Sequence, residues 1–229
     1  MKLKKIDKKK LCLAFDGLSA SGKSLGAKLI SRKYNLNLLN SGLLYRYVAF
    51  LILKNKPKRK INFLKKKFTK LNYKYLTFLN LHSEEISNYA AIIAKQKKVR
   101  LILKDYQKKF AKKFKRIAIE GRDISTKILN KNPRYDIAFF FKCNLNTAAY
   151  RRWRDLKTSN RQITFDEVKK SLKKRNELDV KRRFSPLIQS KDSIIIRTDI
   201  LNKKAMVAKM SKEIEKKLLL KYGRNFKTK

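Results

Sequence analysis

Residues Phe15–Leu25 read FDGLSASGKSL, and the fold turns on how they are read. Within them Gly17-Leu18-Ser19-Ala20-Ser21-Gly22-Lys23-Ser24 fits G-x-x-x-x-G-K-[ST]. That pattern describes a glycine-rich loop whose backbone N–H groups cradle phosphates, provided a strand precedes it and a helix follows. Both neighbours have the expected character. Leu11-Cys12-Leu13-Ala14-Phe15 is a continuous apolar run ending in Asp-Gly, as a buried parallel strand requires. Ser24 to Lys33 places Leu25, Leu29 and Ile30 on one helical face. In such a loop Lys23 is expected to bridge the β- and γ-phosphates of a nucleotide, and Ser24 to hold its Mg²⁺.

Working outward, Leu36–Leu39, Arg116–Glu120, Asp136–Lys142 and Ser193–Ile196 read as four further strands. Helices are expected over 42–53, 89–114, 146–157, 165–179 and 203–220. The 89–114 helix is expected to turn Ile92, Ile93, Gln96, Val99 and Leu103 inward. Short apolar strands alternating with helices imply an α/β fold, with a parallel sheet covered on both faces. The basic break KNKPKRK opens a stretch of different character over 54–88, which reads as an insert in a single 229-residue domain. The segment 152–166, polar around Thr158–Gln162, reads as a lid.

The chain carries 62 Lys and Arg against 17 Asp and Glu, a net charge of +45. So strong a charge attracts polyanions, and salt-sensitive non-specific adhesion to nucleic acid is expected from counterion release alone. It also discourages self-association, so a monomer is expected. The lysines run the whole length of the chain rather than forming a tail, which also fits a general compositional bias. No run approaches the ~20 apolar residues of a membrane span, and no leader is recognised, so a cytoplasmic location is expected. Cys12 and Cys143 lie in apolar runs without metal-ligand spacing. His82, the single histidine, stands in a polar stretch with no motif around it.

Arginine is scarcer than lysine here, and it clusters: Arg46, Arg100, Gly121-Arg122-Asp123, Arg151-Arg152-Trp153-Arg154, Arg175 and Arg182-Arg183. A guanidinium grips phosphate with a planar fork that an ammonium lacks. Taken alone, the 151–154 group fits a solvated helix face equally well.

The segments DGLSASGKS, NSGLLYR (Asn40–Arg46), EGRDIST (Glu120–Thr126) and KRNELDVKRRFSPL (Lys174–Leu187) follow the order and spacing of bacterial cytidylate kinases. The sequence resembles that family over about residues 11 to 220. The resemblance implies a P-loop three-layer sandwich with a five-stranded parallel sheet, a small NMP-binding insert and a mobile lid. It implies transfer of the γ-phosphoryl of ATP to CMP or dCMP, with Mg²⁺. Gly17 to Leu25 would bind ATP, and Lys23, Arg122, Arg151 and Arg152 would act in catalysis. Ser41, Arg46 and Arg122 would take the CMP phosphate, and Arg100 and Asp123 the cytosine ring. Arg175 and Asp179 would take the sugar and phosphate region, with Arg182 also on the nucleotide.

Four residues depart from the family's usual pattern: Leu25 for Thr, Asn40 for Asp, Ala91 for a base-touching Ser, and Glu120 for Asp. The insert is also shorter. Two alternatives stay open: another small P-loop kinase acting on UMP, AMP or a non-nucleotide acceptor, and a basic RNA-binding protein with a vestigial loop. Tyr73, Tyr75 and Phe78 are the aromatics the latter would use.

Overall fold

The computed structural model describes residues 9–158 and 162–223. The chain forms two compact units, one from the segments before Leu39 and after Phe114, the other from Leu39–Phe114.

Five strands form one sheet in the order β2-β3-β1-β4-β5, where β1 is Leu11–Gly17, β2 Asn37–Asn40, β3 Arg116–Gly121, β4 Ile137–Lys142 and β5 Ile194–Arg197. β1 runs parallel to both β3 and β4, and β4 parallel to β5. All seven residues of β1 are buried, as its apolar run demands. The register sets Asp16 beside Gly121 and Gly17 beside Phe141, so the strand ends that carry the loop motifs align at one edge. That edge is where an open α/β sheet holds ligands.

Helix α1 (Lys23–Lys33) follows β1 directly. It packs Ala27 and Ile30 into a core that includes Phe15, Phe139 and Phe141, and the last helix closes that core with Met206, Met210, Ile214 and Leu218. The four-residue spacing of those last side chains puts them on one stripe. The other helices of this unit are α6 (Leu145–Lys157), α7 (Phe165–Lys181) and α8 (Lys203–Tyr222). α6 and α7 share a small apolar contact of Ala148, Ala149 and Leu172. Part of the expected 152–166 lid, residues 159–161, lies outside the described residues.

The second unit contains α2 (Ser41–Asn55), α3 (Lys60–Thr69), a 3-10 turn (Tyr73–Phe78), α4 (Glu84–Ile93) and α5 (Lys97–Lys113). Here the sequence reading needs correction. The helix expected over 89–114 is two helices that break at residues 94–96, where Gln96 has extended backbone (φ −80°, ψ 114°) and stands ahead of α5. The register of the apolar face shifts at that break. Ile93 is fully buried, but Ile92 is 56% exposed. The stretch after the basic break, read as short apolar pieces, contains a full helix that buries Leu64 and Phe68.

Candidate active site

The phosphate loop depends on glycine at two points. Gly22 sits at φ +75° immediately before α1, and a Cβ there would lie 3.3 Å from the Thr198 methyl. Gly17 packs against β4 so closely that a Cβ would fall 2.5 Å from the Phe141 carbonyl oxygen. Ala20 also adopts a positive φ of 56°. Between these points the loop is tied from several sides. The Ser21 hydroxyl donates to the Leu18 carbonyl at 2.9 Å, and Thr198, just past β5, donates to the Ser21 carbonyl at 2.9 Å. The Ser19 N–H donates to Asn176 Oδ1 of α7 at 3.0 Å. The unpaired N–H groups of the first turn of α1 therefore present a fixed, positively biased end.

Lys23 is buried, and its Nζ lies 3.1 Å from Glu120 Oε2. The Ser24 hydroxyl donates to that same oxygen at 2.6 Å. Burial pulls the Lys23 ammonium below the usual lysine range, the Glu120 carboxylate opposes that pull, and the Arg122 guanidinium adds to it. A second anion at this end would oppose that pull further.

Arg122 follows one residue after Gly121. It donates through Nε to Asp179 Oδ2 at 2.7 Å and through Nη2 to Ser19 Oγ at 2.7 Å. Arg182 holds the other oxygen of Asp179 through Nη1 at 3.2 Å, and its Nε donates to the Ser185 carbonyl. Burial alone would raise the Asp179 carboxyl, but Arg122, Arg182 and Arg175 together hold it below the usual carboxylate range. The structure thus gives Asp179 two arginine partners. Arg175 lies exposed on α7.

Asp123 is buried at the entrance to a short π-helical turn, Ile124–Ile128. That turn is anchored by Asp16, whose carboxylate accepts from the Ile124 N–H at 2.8 Å and from the Ser125 N–H and hydroxyl at 2.7 Å each. Burial raises the Asp16 carboxyl, and these hydrogen bonds counter the rise. Asp16 couples the start of the phosphate loop to the Gly-Arg-Asp segment, a role that no spacing in the sequence reveals.

Arg151 of α6 donates to the Thr198 carbonyl at 2.7 Å and to its hydroxyl at 3.3 Å, which brings it to the residue that also clamps Ser21. Arg152, the next residue, is exposed. The two neighbouring arginines are therefore in different surroundings. Ser24 and Leu25 are exposed in the first turn of α1.

In the second unit, Ser41 opens α2 and is buried, with its hydroxyl accepting from Gln107 Nε2. Asn40 caps that helix through Oδ1, accepting from the Leu43 N–H at 3.2 Å. Asn caps as well as Asp, so this departure keeps the local structure intact. A Cβ on Gly42 would lie 2.9 Å from that capping oxygen. Arg46 is half-buried, 3.2 Å from Nδ1 of His82. His82 was assigned no role from the sequence, because the contact spans 36 positions. Arg100 is 4% exposed, donates to the Ala94 carbonyl at 3.1 Å, and stacks over the Tyr45 ring. Ala91 is half-buried on α4.

Among the described residues no group of three or more His, Cys, Asp or Glu is placed to hold a metal ion. The Ser24 hydroxyl and the Glu120 carboxylate, 2.6 Å apart, are oxygen donors side by side at the loop. That set fits a hard cation that keeps several waters and takes its other ligands from phosphate. Among the described residues, no helix is long and apolar enough to cross a membrane.

Comparison with known proteins agrees with this geometry. The sequence model of the cytidylate kinase family matches residues 13–216. The cytidylate kinase of Mesomycoplasma hyopneumoniae strain 7448 is 32% identical over 222 residues, covering 92% of this chain and 96% of the relative. That of Bartonella tribocorum is 32% identical over 205 residues, covering 87% and 92%. That of Clostridium botulinum strain Okra is 31% identical over 221 residues, covering 90% and 98%. In fold, the chain is similar to the crystal structure of an uncharacterized protein from Eubacterium ventriosum, with TM-score 0.54 and 19% identity over 91% of this chain and 99% of that one. A phosphate loop between β1 and α1, a Gly-Arg-Asp segment tied to it, and full-length similarity at this level place the chain in the cytidylate kinase family of nucleoside monophosphate kinases.

Proposed function

We propose that this protein transfers the γ-phosphoryl group of ATP to CMP or dCMP. One observation carries the reading: a single buried oxygen, Glu120 Oε2, gathers both Lys23 and Ser24, the two side chains a nucleoside triphosphate needs. Phosphoryl transfer asks little covalent chemistry of the protein. It asks for cations fixed where charge develops, in a site that need not reorganise.

In this reading residues 17–25 bind the triphosphate of ATP. Lys23 exchanges Glu120 for phosphate oxygens and stabilises charge on the transferred group. Ser24 and Glu120 would hold Mg²⁺, which would supply further charge neutralisation on the phosphates. Arg122 is already held by its bonds to Ser19 and Asp179, so little side-chain entropy is lost when it grips a phosphate. Arg151 and Arg152 belong to the segment that closes on ATP, with residues 152–166 as the lid. For the acceptor, Ser41, Arg46 and Arg122 take the phosphate, Arg100 and Asp123 the base, and Arg175, Asp179 and Arg182 the sugar and phosphate region. Asp179 reaches the ribose by giving up part of its bonding to Arg122 or Arg182. Residues 54–88 form the insert on the acceptor side, and the protein works as a monomer in the cytoplasm.

The test is a coupled ADP-release assay with ATP and Mg²⁺, comparing CMP, dCMP, UMP, AMP and GMP. Preference for CMP or dCMP is expected. Preference for UMP or AMP would overturn the base assignments at Arg100 and Asp123. No turnover with any of the five would overturn the reading as a whole.

A further inference from the structure

The three aromatics of the 3-10 turn divide by position. In such a turn side chains at i and i+3 eclipse one another. Tyr73 and Leu76 form one column: Tyr73 meets Phe110 edge-on at 5.8 Å, and Leu76 is fully buried. Tyr75 and Phe78 form another, 53% and 84% exposed. Three residues at ~2 Å of rise set those two rings about 6 Å apart along the turn axis. The turn holds them in place. Asn72 caps it by accepting from the Lys74 N–H at 3.1 Å, and the Thr77 hydroxyl donates to the Lys74 carbonyl at 2.7 Å.

The surroundings are cationic. Lys65, Lys66, Lys67, Lys70 and Lys74 are all exposed, on α3, on the chain leading into the turn and in the turn itself. No Asp or Glu occurs between Asp16 and Glu84 to neutralise them. Helix α5 packs on α3 through Phe68 and Tyr106, with ring centroids 5.6 Å apart, and carries exposed Lys109 and Lys113, with Asp105 as its exposed acid.

We propose that this face of the second unit binds single-stranded RNA, with lysines on the phosphates and Tyr75 and Phe78 stacking on bases. Paired aromatic platforms beside a cationic track are the apparatus of sequence-tolerant single-strand binding. A duplex has its bases already stacked and leaves such rings idle. A membrane-lying helix needs an outward apolar face, whereas Leu64 and Phe68 of α3 point into the unit. The proposal is separate from the kinase reading, in which none of these residues holds a substrate.

The experiment is fluorescence anisotropy of the full chain with a labelled oligouridylate 12-mer, repeated across a salt series. Y75A/F78A is expected to weaken binding by about tenfold or more, since stacking is worth ~1–3 kcal/mol per base. Y75L/F78L keeps the apolar surface but removes the rings, and should weaken binding similarly. K66A/K67A should lower the slope of log K against log salt by about 1.4, at ~0.7 for each lost phosphate contact on a single strand. The Tm of each variant should stay at the wild-type value. Wild-type oligouridylate affinity in either aromatic variant would overturn the proposal. So would an equal loss of affinity for a 12-base-pair RNA duplex, or binding of phosphatidylserine vesicles that the leucine variant preserves while oligouridylate binding is absent.

Discussion

Replacing Lys23 should do two separable things. The Lys23 and Glu120 side chains are 8% and 2% exposed, so truncating the lysine leaves a buried carboxylate with only the Ser24 hydroxyl. Breaking a buried pair in this way costs about 3–5 kcal/mol. At ~2–4 °C per kcal/mol for a chain of this size, Lys23→Ala should lower Tm by about 6–20 °C. Stabilities of about 5–15 kcal/mol leave a folded population to assay. K23M/E120Q removes both charges and keeps the volume, so most of the lost Tm should return. Turnover should not return, because the cation at the phosphates is gone, and one preorganised contact of this kind is worth about 100- to 1000-fold in kcat. The measurements are thermal melts and the coupled assay on the wild type, K23A, E120Q and K23M/E120Q. An unchanged Tm in K23A, or a double variant no more stable than K23A, would refute the buried-pair argument. Wild-type turnover in K23M/E120Q would refute the role of Lys23 in transfer.

Asp179 has a folded pKa below its unfolded value, so its pairing with arginine stabilises the fold above about pH 4 and is lost as pH falls through the lower folded value. Asp179→Asn should therefore melt below the wild type at pH 7, and the gap should close as pH falls below the free-carboxyl value of about 4 in a Tm-against-pH series. Asp16→Ala removes the acceptor for two N–H groups and a hydroxyl, and should cost about 2–4 kcal/mol in urea unfolding at pH 7. Asp123→Ala should raise KM for CMP more than KM for ATP; equal effects on both would place Asp123 off the acceptor base.

Much of the first unit was readable because its signals are local. A five-residue apolar run, a loop with obligatory glycines and a helix start leave few alternatives when they occur in succession. Met206, Met210, Ile214 and Leu218 were readable for the same reason, being one stripe on one uninterrupted helix, and all four are buried. The 89–114 segment misled because helical periodicity cannot count a break of a few residues. Ile92 and Leu103 fall in phase only if the helix never stops, and it stops before Gln96. The loop motif named Lys23, Ser24 and their neighbours, and the arginine clusters named Arg122 and Arg182. Their partners stayed hidden for a physical reason. Glu120, Asn176, Thr198, Gln107 and His82 gain meaning only from contacts that span tens of positions. Asp16 sat in plain view as the residue before Gly17. Its role as an anchor required β1 and the turn after β3 to be adjacent.

The two thiols offer a practical route into this enzyme. Cys12 is 2% exposed on the central strand, and burial beside Asp136 pushes its thiol up to about 12. It therefore stays a thiol, unreactive toward alkylating dyes at neutral pH. Cys143 is half-buried just past β4, with Arg151 Nη1 3.9 Å from its sulfur. Maleimide chemistry on the unmodified chain should consequently attach one dye, beside the arginine that Thr198 ties to the phosphate loop. Nucleotide arrival could then be followed optically in real time without engineering a cysteine-free background.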